Sequence, residues 1–103
     1  MMSITIGDYP FEGPYKSTSN LLDRAGIYAI LTLKTNGKYS VVDVGESANV
    51  KTRVENHDRK DCWRRNSNNI VLAAYYTPNL QQSGRMMIEQ DLRDRYNAPC
   101  GER

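Results

Sequence analysis

Apolar positions along this chain change their period several times, and each change marks an element. From Gly26 to Lys34 and from Tyr39 to Glu46, two runs rich in aliphatic, β-branched and aromatic residues flank a Thr35-Asn36-Gly37-Lys38 turn. An Asn-Gly pair between such runs predicts a β-hairpin with a two-residue type I′ turn, because that turn needs positive φ at both central residues. With Asn36-Gly37 at the tip, Lys34 faces Tyr39, Thr32 faces Val41, Ile30 faces Asp43 and Tyr28 faces Gly45. Alternation then sets Tyr28, Thr32, Tyr39 and Asp43 on one face. Ile27, Ala29, Leu31, Leu33, Val42 and Val44 share the other, the more apolar and the expected core side.

After the hairpin the period lengthens. Ser47 is placed to cap a helix over about 48–57, with Val50 and Val54 one turn apart as its buried stripe. Arg53 and His57 are also one turn apart, so both project from one flank, near the hairpin end that carries Asp43. Residues 58–69 are strongly polar and read as a second short helix or a loop, broken by Asn66-Ser67-Asn68-Asn69. The stretch 69–77 is almost continuously apolar and stops at Pro78, which predicts a central strand. Ser83 is placed to cap a last helix over 84–96, in which Ile88, Leu92 and Tyr96 recur at i, i+4 and i+8. Glu89 borders that stripe. Ahead of the hairpin, Ile4-Thr5-Ile6 suits a short edge strand, and the Gly-, Pro- and aromatic-rich segment beyond it suits irregular structure. Ser17-Thr18-Ser19 supplies capping hydroxyls for a helical turn over 20–24. The expected whole is an α+β domain: a small antiparallel three-stranded sheet flanked by helices, with residues 1–25 as an irregular N-terminal extension.

Composition sharpens this only in places. At 103 residues and 39% apolar, the chain has enough for one core and one domain. Fourteen basic and twelve acidic residues give a net charge of +2, too even to indicate a partner by itself. Local clustering says more: Arg59, Lys60, Arg64 and Arg65 surround Trp63, which suits contact with a phosphate backbone and stacking of a base. The plainer reading is a solvated polar segment that Trp63 anchors. No apolar run reaches membrane-spanning length, and Met1-Met2-Ser3-Ile4 lacks the charged and apolar regions of a signal peptide, so a cytoplasmic location is expected. Cys62 and Cys100 are too few for a disulfide framework and are expected as reduced thiols. With His57 they also supply three zinc-ligating side chains, at a spacing that matches no standard structural site.

Gly26-Ile27-Tyr28, Asp43-Val44-Gly45, Arg53, His57, and Ile88-Glu89-Gln90-Asp91-Leu92 with Tyr96 beyond form an ordered set. It resembles the GIY-YIG nuclease superfamily from about residue 26 to 101. The resemblance implies a GIY-YIG-like fold and a metal-dependent endonuclease that hydrolyses DNA. It implies catalytic Tyr28, Arg53 and His57, with one Mg²⁺ or Mn²⁺ held by Glu89. This chain departs from the pattern at three positions: the second signature's tyrosine is Asp43, a frequent lysine is Glu46, and the C-terminal asparagine is Gly101.

Phosphodiester hydrolysis needs a group that activates water, a cation for the phosphoryl oxygens and usually a carboxylate-held metal. In the pattern implied, Tyr28 orients or deprotonates the water, Arg53 binds phosphate and Glu89 holds the ion. A phenol ionises near pH 10, so Tyr28 needs an adjacent cation to act as a base near neutrality. Asp43 reads three ways: a substitute base, a second metal ligand, or a partner for the Tyr28 hydroxyl in a site that no longer catalyses. The competing function is a non-catalytic module that binds nucleic acid or a protein partner through 59–65. The small surface favours recognition of DNA structure, or help from a dimer partner or another protein.

Overall fold

A computed structural model describes residues 2–100. In chain order its elements are β1 (Ser3–Ile6), β2 (Tyr9–Tyr15), a 3₁₀ turn (Thr18–Asn20), β3 (Gly26–Leu33), β4 (Tyr39–Ser47), α1 (Val50–Glu55), α2 (Lys60–Asn66), β5 (Ile70–Tyr76) and α3 (Gln82–Arg95). The strands form one five-stranded sheet in the order β1-β2-β5-β3-β4, with every neighbouring pair antiparallel. The domain is α+β as expected, but the sheet has five strands where three were expected. The N-terminal 25 residues are therefore not an irregular extension. Ile4-Thr5-Ile6 lies in the edge strand β1, which hairpins into β2, and β2 pairs with β5 through Glu12↔Ala74 and Tyr15↔Leu72. Pro10 and Pro14, which argue against a strand in sequence, sit within a β2 whose register shifts between Glu12 and Tyr15. β5 takes the central position its unbroken apolar run predicts.

The β3–β4 hairpin keeps the expected pairing only at the end that carries Tyr28 and Asp43. Gly37 has φ of +81° but Asn36 does not have positive φ, so the tip is not a type I′ turn. The Gly37 N–H instead donates to Lys34 O, and the Lys34 N–H to Lys38 O, the pattern of a longer loop closed by a left-handed glycine. Near the tip Leu33 pairs with Tyr39 and Leu31 with Val41, one residue off the expected register. A bulge at Val42 absorbs the difference, and Ile30↔Asp43 and Tyr28↔Gly45 pair as expected. The same bulge turns Val42 onto the Tyr28 face.

Both faces of the sheet are core. Tyr28, Ile30, Val42, Leu72 and Ala74 pack with Val50 and Val54 of α1 and Trp63 of α2. Ile27, Ala29, Leu31, Val44, Ala73 and Phe11 pack with Leu92 of α3. Ile27, Leu92 and Phe11 are each fully enclosed, a burial that contributes about 1.5–3 kcal/mol per side chain. The core is not confined to the more apolar face: helices cover the sheet on both sides, so a strand tyrosine and an aspartate become interior groups.

α1 is shorter than predicted and its N-cap, Asn49, makes no side-chain cap bond; the Ser47 hydroxyl accepts from the Asn49 N–H instead. α3 starts at Gln82 after Gln81. The polar segment 58–69 contains α2, and Cys62 on it is joined to Cys100 by a disulfide. The expectation of reduced thiols is thereby corrected, and with it the zinc reading. The physical reason is the return of the chain after α3: the Cys100 N–H donates to Val42 O along the free edge of β4, which brings its Cα within 5.9 Å of that of Cys62. Among the described residues, no helix is long and apolar enough to cross a membrane.

Candidate functional site

The Tyr28 face of the hairpin, the turn after α1 and the start of α2 meet at the Gly45 end of β4. Tyr28 reaches there because Gly45 opposes it: a Cβ at Gly45 would lie 2.0 Å from the Tyr28 hydroxyl. The phenol crosses directly over the glycine backbone. Its oxygen is 2.7 Å from Nε2 of His57. The imidazole is fully enclosed and its centroid lies 4.7 Å from the Trp63 ring.

The proton on this pair follows from its other partner. The Arg59 backbone N–H donates to Nδ1 of His57 at 3.0 Å. Burial, aided by the charges of Arg53 and Arg59, pushes the imidazole down to about 4, so it is neutral near pH 7. A neutral ring with an accepting Nδ1 carries its hydrogen on Nε2, which donates to the Tyr28 oxygen. Tyr28 keeps its own proton: burial pushes the phenol up to about 12, with Arg53 pulling the other way. The Arg53 side chain is 41% exposed and binds Asp58 at 3.3 Å, which leaves it the most accessible cation beside the phenol.

Of the three sequence readings of Asp43, the structure contradicts the one that pairs it with the Tyr28 hydroxyl. Asp43 makes no hydrogen bond to Tyr28. The carboxylate is completely buried and accepts from Arg59 Nε at 2.8 Å, Arg59 Nη2 at 3.2 Å, Trp63 Nε1 at 2.8 Å and the Val44 N–H at 2.8 Å. A bidentate guanidinium and an indole occupy it from the α2 side. Arg59 and Trp63 consequently turn inward. Trp63 is 4% exposed and offers no face for a base, so the anchoring role holds for it. Arg64 and Arg65 stay on the surface, Arg64 paired with Asp61 at 3.2 Å, and Lys60 is half-buried with its ammonium on Glu55 O.

Glu89 comes from α3, on the opposite side of β4. Its carboxylate lies 3.4 Å from Arg93 Nη2. Burial raises its ionisation range, opposed by Arg93 and reinforced by the neighbouring Glu46. Glu46, where a lysine stands in the pattern, is tied to Arg85 at 3.0 Å. Among the described residues no three His, Cys, Asp or Glu side chains group as a metal site. The donors around Arg93 Nη2 are nonetheless all oxygens, from Glu89, Asp43 and the Val44 carbonyl, which is the donor chemistry of Mg²⁺ or Mn²⁺. These oxygens are held by a guanidinium, and Asp43 Oδ1 also accepts from Arg59 Nη2 and the Val44 N–H. Gly101 lies outside the described residues.

Tyr28, His57, Asp43, Arg53 and Arg59 thus converge, with Glu89 approaching across β4, whereas Lys60, Arg64 and Arg65 form a separate surface on α2. Sequence reading missed the Asp43–Arg59–Trp63 cluster, for which no spacing rule exists, and Arg93, which the i, i+4 spacing from Glu89 does signal. Compared with protein-family models, curated proteins and solved structures, the chain matches none.

Proposed function

We propose that this domain is a divergent GIY-YIG-type endonuclease that hydrolyses DNA phosphodiester bonds. The observation that carries the reading is the Tyr28–His57 pair: two buried, mutually hydrogen-bonded groups with strongly displaced ionisation, next to the accessible guanidinium of Arg53. Perturbed groups gathered beside a solvent-accessible cation support a phosphoryl-transfer site.

In this reading His57 donates to the phenol oxygen and fixes its orientation, and Arg53 binds the non-bridging oxygens of the scissile phosphate. Tyr28 keeps a proton to donate and a lone pair to accept, so near neutrality it positions the attacking water as a phenol. A cation next to the oxygen favours the phenolate and turns the same group towards base catalysis. A divalent ion at Glu89 would supply charge neutralisation on the phosphate and leaving group. Asp43 touches none of these atoms; it positions α2, and through Arg59 the Nδ1 contact that sets the His57 tautomer.

The test is cleavage of single-stranded, duplex and branched DNA with Mg²⁺ or Mn²⁺. Arg53→Ala and Glu89→Ala are expected to lose activity while remaining folded. No cleavage by the wild-type protein, or full cleavage by both variants, refutes the proposal. The engaged state of Asp43 and Glu89 favours a second reading, a non-catalytic DNA-binding module on the same scaffold. Salt-dependent DNA binding that weakens when Arg64 and Arg65 are neutralised, without cleavage under any metal, identifies it.

A further inference from the structure

The Cys62–Cys100 disulfide presents its two sulfurs unequally. Cys62, in the first turn of α2, is half-buried, whereas Cys100 is 2% exposed. The side-chain amide of Asn66, one turn on from Cys62, donates to the Cys62 carbonyl at 2.8 Å. The same nitrogen lies 3.3 Å from Cys100 Sγ and 3.7 Å from Cys62 Sγ. A disulfide sulfur accepts weakly, and such a hydrogen bond strengthens once the sulfur carries the charge of a thiolate. Trp63, the residue after Cys62, donates to Asp43 and packs against His57, with ring centroids 4.7 Å apart.

We propose that Cys62–Cys100 is a thiol–disulfide exchange site for dithiol reductants, in which Cys62 Sγ is attacked and Cys100 leaves as a thiolate held by Asn66. The external thiolate bonds to Cys62 Sγ as the S–S bond breaks, and the electron pair of that bond goes to Cys100 Sγ. Burial disfavours a charged leaving group, and the Asn66 donor offsets that cost. The second thiolate of the dithiol then displaces Cys62 from the mixed disulfide. The dithiol is oxidised to a disulfide, the two cysteines gain two electrons, and the two protons that the dithiol loses end on their sulfurs. Opening the bond removes the covalent tie between α2 and the chain end that the Cys100 N–H fastens to Val42 O. Asp43 still holds Arg59 and Trp63, so α2 loosens from its C-terminal half rather than detaching. Trp63 passes the change to the Tyr28–His57 pair. The exchange chemistry stands without the nuclease reading; that it regulates a DNA-cleaving site rests on that reading.

The experiment treats the folded full chain, without DNA, with reduced glutathione, quenches with acid at low conversion and maps the adduct by peptide mass spectrometry. Glutathione is expected on Cys62, with Cys100 as the free thiol. Asn66→Ala is expected to slow the exchange by about threefold or more, and Asn66→Asp, which sets a carboxylate beside the leaving thiolate, to slow it further. An adduct on Cys100, an unchanged rate in both variants, or exchange only in urea that unfolds the chain overturns the exchange site. After full reduction by dithiothreitol, the ring resonances of His57, the chain's one histidine, are expected to shift while circular dichroism remains that of a folded protein. Unchanged resonances, or a reduced chain that unfolds altogether, overturn the coupling to Tyr28. Because neither arm involves DNA, absence of cleavage refutes the nuclease reading alone, and failure of both arms in a protein that cleaves refutes only the exchange site.

Discussion

Replacing Asp43 by asparagine separates a structural aspartate from a catalytic one. The carboxylate is completely buried and accepts four hydrogen bonds, two from Arg59, one from Trp63 and one from its neighbour's backbone. Asparagine keeps the shape and one acceptor, but its amide nitrogen must face the Arg59 or Trp63 donors, and the guanidinium loses its counter-charge. Removing one member of a buried ion pair costs about 3–5 kcal/mol, and because the Arg59 side chain is 23% exposed and can reach water, the low end, about 3 kcal/mol, applies. For a domain of this size each kcal/mol is worth about 4 °C or more, so Tm falls by about 12 °C or more. Urea unfolding followed by circular dichroism, with thermal scans alongside, measures it. If Arg59 carries most of the effect, Asp43→Asn in an Arg59→Met background costs much less than in wild type. A loss under about 1 kcal/mol, or full additivity with Arg59→Met, refutes the account of Asp43 as the anchor of α2.

Three other outcomes are expected. Gly45→Ala places a methyl where the Tyr28 hydroxyl now lies, and with the phenol 2% exposed and unable to yield outward, it destabilises by about 1–3 kcal/mol and shifts the His57 ring resonances; an unchanged Tm and spectrum refutes the close approach. His57, depressed from 6.5 to about 4, contributes stability that is fully present above about pH 6.5 and is lost as the unfolded chain takes up the proton between 6.5 and 4, at most about 3 kcal/mol. His57→Gln flattens that slope, and an imidazole titration midpoint near 6.5 by NMR contradicts the burial argument. The Cys62–Cys100 bond closes a loop of 38 residues, so reduction by dithiothreitol is expected to lower stability by about 2–4 kcal/mol and to loosen α2 first in hydrogen exchange; identical exchange before and after reduction argues against the crosslink.

The physical division between what was legible and what was not runs through single residues. Period and turn chemistry are local, and they gave the central strand β5, the two strands of the hairpin and the helix bearing Glu89. They also paired Tyr28 with Gly45 and Ile30 with Asp43, although the route was altered: the loop took one residue more and the Val42 bulge took it back. The N-terminal hairpin escaped because Pro10, Gly13 and Pro14 contradict strand propensity, and a strand pairing with β5 some sixty residues later is stabilised by a partner that no local window contains. The disulfide escaped for the same reason.

Sequence by itself determined an α+β domain, its main elements and the side of the hairpin on which Tyr28 and Asp43 lie. Tertiary structure alone decided what those residues do. Helices on both faces buried the tyrosine and the aspartate, and burial converts each polar group into a demand for a particular partner. His57 met the demand of Tyr28, and Arg59 and Trp63 met that of Asp43. Those pairings depend on distances between elements far apart in the chain, and such distances are set by packing.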